Sequence, residues 1–201
     1  MSGKSSVPAK KPAPGRVRKP DRRVRRTRDA LGDALIELMQ EKPFAEIKVQ
    51  HVLDRAGVGR STFYSHYRDK DDLFISDADD FFEGMATLLT RRREVSDRVA
   101  PVREMFAHVA EMRELYLALV ASGKIHETME LAQGHFARGI EKRLAELPRA
   151  RGISAGQRPM IARALAGSLL SLLTWWVSRG APGSAAKMDD DFHRLVWGGA
   201  T

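Results

Sequence analysis

The apolar residues of this chain recur at spacings of three and four and nowhere at two. Leu31, Ala34, Leu35, Leu38 and Met39 form one such stripe; Val49, Val52, Leu53 and Ala56 form the next. Further stripes run through Phe74, Ala78, Phe81, Phe82, Met85 and Leu88, through Val102, Met105, Phe106 and Val109, and through Ile125, Met129, Ala132, Phe136, Ile140 and Leu144. A strand half in water alternates with period two, whereas a helix repeats its buried face every 3.6 residues, so this pattern predicts an all-α chain. Helix stops agree. Pro43 and Pro148 follow two stripes, and Gly57, Gly123 and Gly180 stand where a left-handed C-terminal residue is wanted. Nine helices are expected: about 22–41, 48–55, 59–65, 69–90, one opened by Pro101 through Val109, 113–122, one from about Ile125 to Leu147, 158–179 and 184–197.

Charge divides the chain differently. Residues 1 to 28 hold eleven Lys/Arg against one Asp, a local +10 in a chain of net +8, so the remainder carries −2. Residues 1–21 are rich in Lys, Pro, Ser and Gly without periodicity, and are expected to be a disordered basic arm suited to a polyanion. Cysteine is absent and no secretory signal stands at the N-terminus, so a cytoplasmic location is expected. The apolar run MIARALAGSLLSLLTWWV, 160–177, is barely long enough to span a bilayer. It contains Arg163 and two serines, and reads better as a buried helix. No membrane partner is expected.

Residues 56–67 read AGVGRSTFYSHY. Two short helices meeting at Gly57 have the pattern of a helix-turn-helix, whose second helix can enter a major groove. Gly59, Arg60, Ser61 and Thr62 would lie at its leading end, where base edges are reached. Arg60 can bond guanine bidentately, and the Thr62 methyl can pack on thymine. Tyr64, His66 and Lys70 carry donors suited to phosphates, and the N–H groups opening the helix after Asp69 offer a further anion site. Tyr64 and Tyr67 could equally be core aromatics, the better reading for Tyr67. GVGRST lacks the spacing of a phosphate-binding P-loop.

An enzyme and a DNA-independent adaptor are the rival classes. The six histidines form no metal pair, and no nucleophile elbow is present. The acidic runs DADD (77–80) and MDDD (188–191) lack calcium-loop spacing and read as solvated faces. Neither a metal, a cofactor nor a catalytic group is expected.

The stretch VQHVLDRAGVGRSTFYSHYRDKDDLF, 49–74, with RRTRDALGDALIELMQEKPFAEI, 25–47, before it, resembles the N-terminal domain of tetracycline-repressor (TetR) family transcriptional regulators. The resemblance implies a homodimer bound to a palindromic double-stranded DNA operator, and most often repression. It implies a three-helix head, here 22–68, and a ligand-binding and dimerisation body, here 69–201. Lys48 becomes a backbone contact beside the residues above. The two last helices become a four-helix interface.

In the body, Phe81, Phe82, Met85, Phe106, Met112, Tyr116, Met129 and Phe136 are candidates for the wall of a cavity for an unidentified apolar or aromatic effector, with Trp175 added from the apolar helix. Ala164, Gly167, Ser168 and Ser171 would admit a second helix, with Trp176, Phe192 and Leu195 at the same interface. Trp175 and Trp176 differ by about 100° around the helix, so one serves the core and the other a partner or the pocket.

Overall fold

The computed structural model describes residues 22–93 and 95–198. The expected basic arm, 1–21, lies outside the described residues. All the regular structure described is helical: α1 Arg22–Glu41, α2 Val49–Ala56, α3 Arg60–Tyr64, α4 Lys70–Ala86, α5 Leu88–Arg91, α6 Val102–Glu111, α7 Arg113–Ala121, α8 Ile125–Glu146, α9 Arg158–Ser178 and α10 Ala185–Gly198. Short 3-10 turns at Phe44–Glu46 and Pro148–Ala150 complete it.

The count is ten rather than nine because the expected fourth helix breaks at Thr87. The Thr87 hydroxyl donates to the Glu83 carbonyl at 2.8 Å, and Thr87 sits at φ −92°, ψ 0°. Such back-bonding by a β-branched residue loosens the helical ladder, and the chain restarts as α5.

Two cores form. The head core gathers the α1 stripe with Phe44, Ile47, Val52, Leu53, Phe63 and Tyr67. Leu73 and Phe74 of α4, and Leu119 of α7, close it. The body core joins Phe82, Val102, Phe106, Phe136, Leu144, Leu169, Leu173 and Trp176. α8 and α9 pack along their lengths, and α4 crosses α8. Helix α4 therefore belongs to both cores, so a shift of its axis must move the head against the body.

Gly32 explains itself here. A glycine inside α1 costs roughly 1 kcal/mol against alanine, yet a Cβ at this position would overlap the Asp77 carboxylate of α4. The glycine admits Asp77 against the α1 backbone. Arg28 fastens the same pair of helices, donating to the Tyr67 hydroxyl (3.1 Å), Ser76 Oγ (2.9 Å) and Asp80 (2.8 Å).

α9 is the one described helix long and apolar enough to cross a membrane. Its stripe Ala162, Ala166, Leu169, Leu173 and Trp176 is buried in the body core, while Met160, Ala164, Ser168, Ser171 and Trp175 on its other side are exposed.

Candidate nucleic-acid interface and effector cavity

α2 ends because Gly57 takes φ +64°, a conformation with little cost only for glycine. The Val58 N–H then donates to the Leu53 carbonyl at 3.1 Å, closing the turn. Gly59 caps α3, its carbonyl accepting from Thr62 and Phe63 N–H groups. Phe63 is fully buried, with its ring 5.7 Å from that of Tyr67. One anchor thus fixes α3, and Arg60, Ser61, Thr62 and Tyr64 are left exposed.

Arg60 reaches back across the turn, donating to Gln50 Oε1 at 3.3 Å. This weak, solvent-exposed bond orients the guanidinium while leaving most of its donors outward. Gln50 was not among the expected site residues, and its exposed place on α2 beside Arg60 makes it a further candidate. Tyr64 is 52% exposed, its ring edge supported by Phe63 at 5.3 Å, which is the outward of the two readings that its sequence allowed. Tyr67 is the inward one. Lys48 is exposed at the start of α2, where its N–H donates to His51 Nδ1 at 3.2 Å. Gly59 is exposed and His66 half-buried. Lys48, Gly59, Arg60, Ser61, Thr62, Tyr64 and His66 thus share the α2–α3 end of the head.

Lys70 departs from that group. Its ammonium donates to the carbonyls of Phe44 and Ile47, the latter at 2.8 Å, and lies 4.4 Å from the centre of the Phe44 ring. Partial burial lowers its pKa. These donors tie α4 to the turn at Phe44–Glu46, so Lys70 positions the head in this conformation rather than facing a phosphate. The expected anion site at the start of α4 is also filled from within. Asp69 accepts the Asp72 N–H at 2.8 Å, Asp72 accepts the Arg68 N–H at 2.9 Å, and these carboxylates repel a phosphate.

A cavity of about 100 Å³ lies beneath the head. Phe81, Phe82, Met112, Tyr116 and Met129 line it as expected. Phe106 and Phe136 instead fill the body core completely, and Met85 packs against that core. Ile36 of α1, Asp77 of α4, His108 of α6 and Thr128 of α8 also line the cavity. Stripe reasoning passed over these four, three because they are polar and Ile36 because it belongs to the head. His108 lies against Phe81, ring centres 4.5 Å apart, and burial pushes its pKa down.

The tryptophans exchange the expected places. Trp176 is 2% exposed, its ring 5.0 Å from Phe106 and its indole N–H on the Pro182 carbonyl at 2.9 Å. Trp175 is 47% exposed and lines an outer groove of about 690 Å³ with Gly167, Ser168, Ser171 and Leu195. Ala164 is exposed on the same side, and Phe192, largely buried, shows an edge to the groove. Trp176 therefore belongs to the core and Trp175 to the outer face, because the buried stripe of α9 passes through 169, 173 and 176.

The acidic runs are solvated faces only in part: Asp79, Asp80 and Asp190 reach solvent, whereas Asp77 and Asp189 turn inward. Asp77 faces the cavity, Asp79 pairs with buried His135 at 2.7 Å, and Asp80 holds Arg28. Asp189 is buried on Arg98, while Asp191 pairs with Lys187 and Arg194 on the surface.

Burial first, then Asp33, Asp80 and Asp29, push the Asp77 carboxyl up to about 6, against the opposing pull of Arg28. A carboxyl whose native pKa lies above its unfolded value of 3.8 binds its proton more tightly in the folded state. Its ionisation therefore destabilises the fold fully above about pH 6, and the cost disappears as pH falls through the interval to 3.8. Asp77→Asn is expected to raise the unfolding free energy by about 1–3 kcal/mol at pH 7.5 and to give no gain at pH 3.8. Urea denaturation of both proteins at the two pH values checks this.

The profile of the family described as "Bacterial regulatory proteins, tetR family" matches residues 31–76, the span from the α1 stripe into α4. Over 54 residues the chain is 41% identical to the uncharacterized HTH-type transcriptional regulator YxbF of Bacillus subtilis (strain 168). That match covers 26% of this chain and only 14% of the relative's length. Among solved structures, the fatty acid degradation regulator FadR from Bacillus halodurans superposes with a TM-score of 0.64 at 17% identity, over 86% of this chain and 95% of that one. A TetR transcriptional regulator from Streptococcus agalactiae 2603V gives 0.58 at 22% identity, over 87% and 96%. The dihydroxyacetone kinase operon activator DhaS gives 0.60 at 17%, over 84% and 93%. At such identities the likeness is one of fold, and it extends from the head through the body. Residues 31–76 thus carry the helix-turn-helix of the TetR family of bacterial regulatory proteins, set in a fold like that of solved TetR regulators.

Proposed function

We propose that the chain is a cytoplasmic, ligand-responsive transcriptional regulator, most often acting as a repressor, that binds a palindromic operator as a homodimer. The head, 22–68, would meet DNA, and the body, 69–201, would bind effector and partner. One observation carries the reading: α3 buries Phe63 and turns Arg60, Ser61, Thr62 and Tyr64 to solvent. A helix that existed only to fill a core would not leave four of five side chains outside.

In this reading Arg60 and Thr62 touch base edges, with Gly59 and Ser61 allowing close approach. Lys48, Tyr64 and His66 hold phosphates. The outer faces of α9 and α10 bring two chains together, setting the two α3 helices one helical turn of DNA apart, about 34–36 Å. A ligand in the cavity would touch Ile36 of α1 and Phe74 of α4 directly, and so would favour one head spacing over another through differential contacts.

Arg60→Ala is expected to flatten the preference among operator variants at one base pair by about 1–3 kcal/mol, and Tyr64→Ala to weaken all sequences alike. Competition binding against single-base operator variants, at fixed salt, measures both. A preference unchanged by Arg60→Ala would remove the base-reading role.

A further inference from the structure

The cavity has one group that the apolar reading of the effector does not use. Asp77 projects into it from α4, one turn before Phe81. Among the described residues none donates a hydrogen bond to its carboxylate. Its neighbour Arg28 is committed to Tyr67, Ser76 and Asp80. The surrounding charge is negative, from Asp29, Asp33 and Asp80. His108, the other titratable lining group besides Tyr116, is kept neutral by burial. A carboxylate thus faces a largely apolar space with no cation paired to it, beside the rings of Phe81, Phe82 and Tyr116.

We propose that the cavity binds a small organic cation, a protonated amine on an aromatic or aliphatic body, with its ammonium on the Asp77 carboxylate. The cost of withdrawing that carboxylate from water is already borne by the folded chain. An incoming ammonium therefore gains the full attraction, strengthened by the low local dielectric and by aromatic faces that favour cations. A neutral ligand of equal size would leave the carboxylate as it is, and an anion would be repelled by it. The space of about 100 Å³ suits a molecule near the size of benzylamine, and the flexible side chains of Met105, Met112 and Met129 can make room for somewhat more.

The same carboxylate abuts Gly32 of α1, so a cation that draws on Asp77 acts at the contact where head meets body. This inference rests on the effector reading above, and the two can fail separately. Titration calorimetry on the full chain at pH 7.5 would compare benzylammonium with benzyl alcohol. The ammonium should bind at least tenfold tighter, and Asp77→Asn should abolish that preference while leaving the alcohol unchanged. Equal affinities, a preference that survives Asp77→Asn, or no binding of either probe would each overturn the proposal. If the ammonium binds through Asp77 but operator affinity does not change, the cation site stands and the effector reading falls.

Discussion

Arg98→Ala is expected to lower the unfolding free energy by about 3–5 kcal/mol, the cost of breaking a buried ion pair by removing one partner. Arg98 lies between two helices distant in sequence. It donates to Asp189 of α10 at 3.0 Å and to Glu104 of α6 at 3.1 Å, and its side chain is almost wholly buried. The segment it occupies is held from every side. Arg143 of α8 donates to the carbonyls of Arg98 (3.0 Å) and Ser96 (2.7 Å), and the Val99 N–H donates to His193 Nε2 at 3.1 Å. That last bond requires a neutral imidazole at Nε2, and burial, the main cause, lowers the His193 pKa accordingly. Alanine at 98 would leave two carboxylates facing each other with no cation between them, the case in which loss is largest. Asp189→Ala alone should cost less, because Glu104 still neutralises Arg98. The double variant should lose less than the sum of the two singles, since the pair is in contact. A loss under about 1 kcal/mol for Arg98→Ala would mean that water or relaxation compensates, and that the network does not fasten α10 to α6.

How much of this was legible depended on whether a signal was one-sided. The α1 stripe, Leu31 through Met39, is buried as its spacing requires, because the opposite face of α1 is charged and leaves no choice of side. The turn at Gly57 and the anchor at Phe63 were legible for the same reason. α9 was not. It carries two apolar or small stripes, one through 162, 166, 169, 173 and 176 and another through 164, 168, 171 and 175. Periodicity shows that both exist without saying which meets α8, so the tryptophans fell on the wrong sides. The run DADD failed differently. Neighbouring carboxylates on a helix point about 100° apart, so Asp77, Asp79 and Asp80 met a cavity, a histidine and an arginine on three elements. Lys70 shows the limit for cations. Its attraction to the Phe44 and Ile47 carbonyls depends on where a preceding turn folds back, and no local pattern records that.

In the proposed homodimer, Trp175→Glu is expected to separate the two protomers and to weaken binding to a two-half-site operator by about 10²–10⁴-fold, the avidity lost when linked sites separate. The outer face of α9 is built for close approach. Ala164, Gly167, Ser168 and Ser171 are small, and the Ser168 hydroxyl is satisfied within its own helix, donating to the Ala164 carbonyl at 2.9 Å. Trp175 stands beside them, and Leu195 of α10 is 74% exposed next to it. An aromatic anchor flanked by small residues can be fully desolvated by a two-fold mate, and such anchors carry most of an interface's energy. Glutamate there would meet its own copy or another apolar surface, and a charge buried without a partner costs several kcal/mol. The monomer should keep its fold, because Trp176 rather than Trp175 fills the core, and thermal unfolding separates that outcome from collapse. It should also keep wild-type affinity for an isolated half-site, since α3 belongs to the head and its core does not include α9. Sedimentation velocity reads the association state and titration of one- and two-half-site DNA reads the rest. A Trp175→Glu protein that still sediments as a dimer places the interface on another face, and the spacing of the two recognition helices would then have to be derived from that face instead.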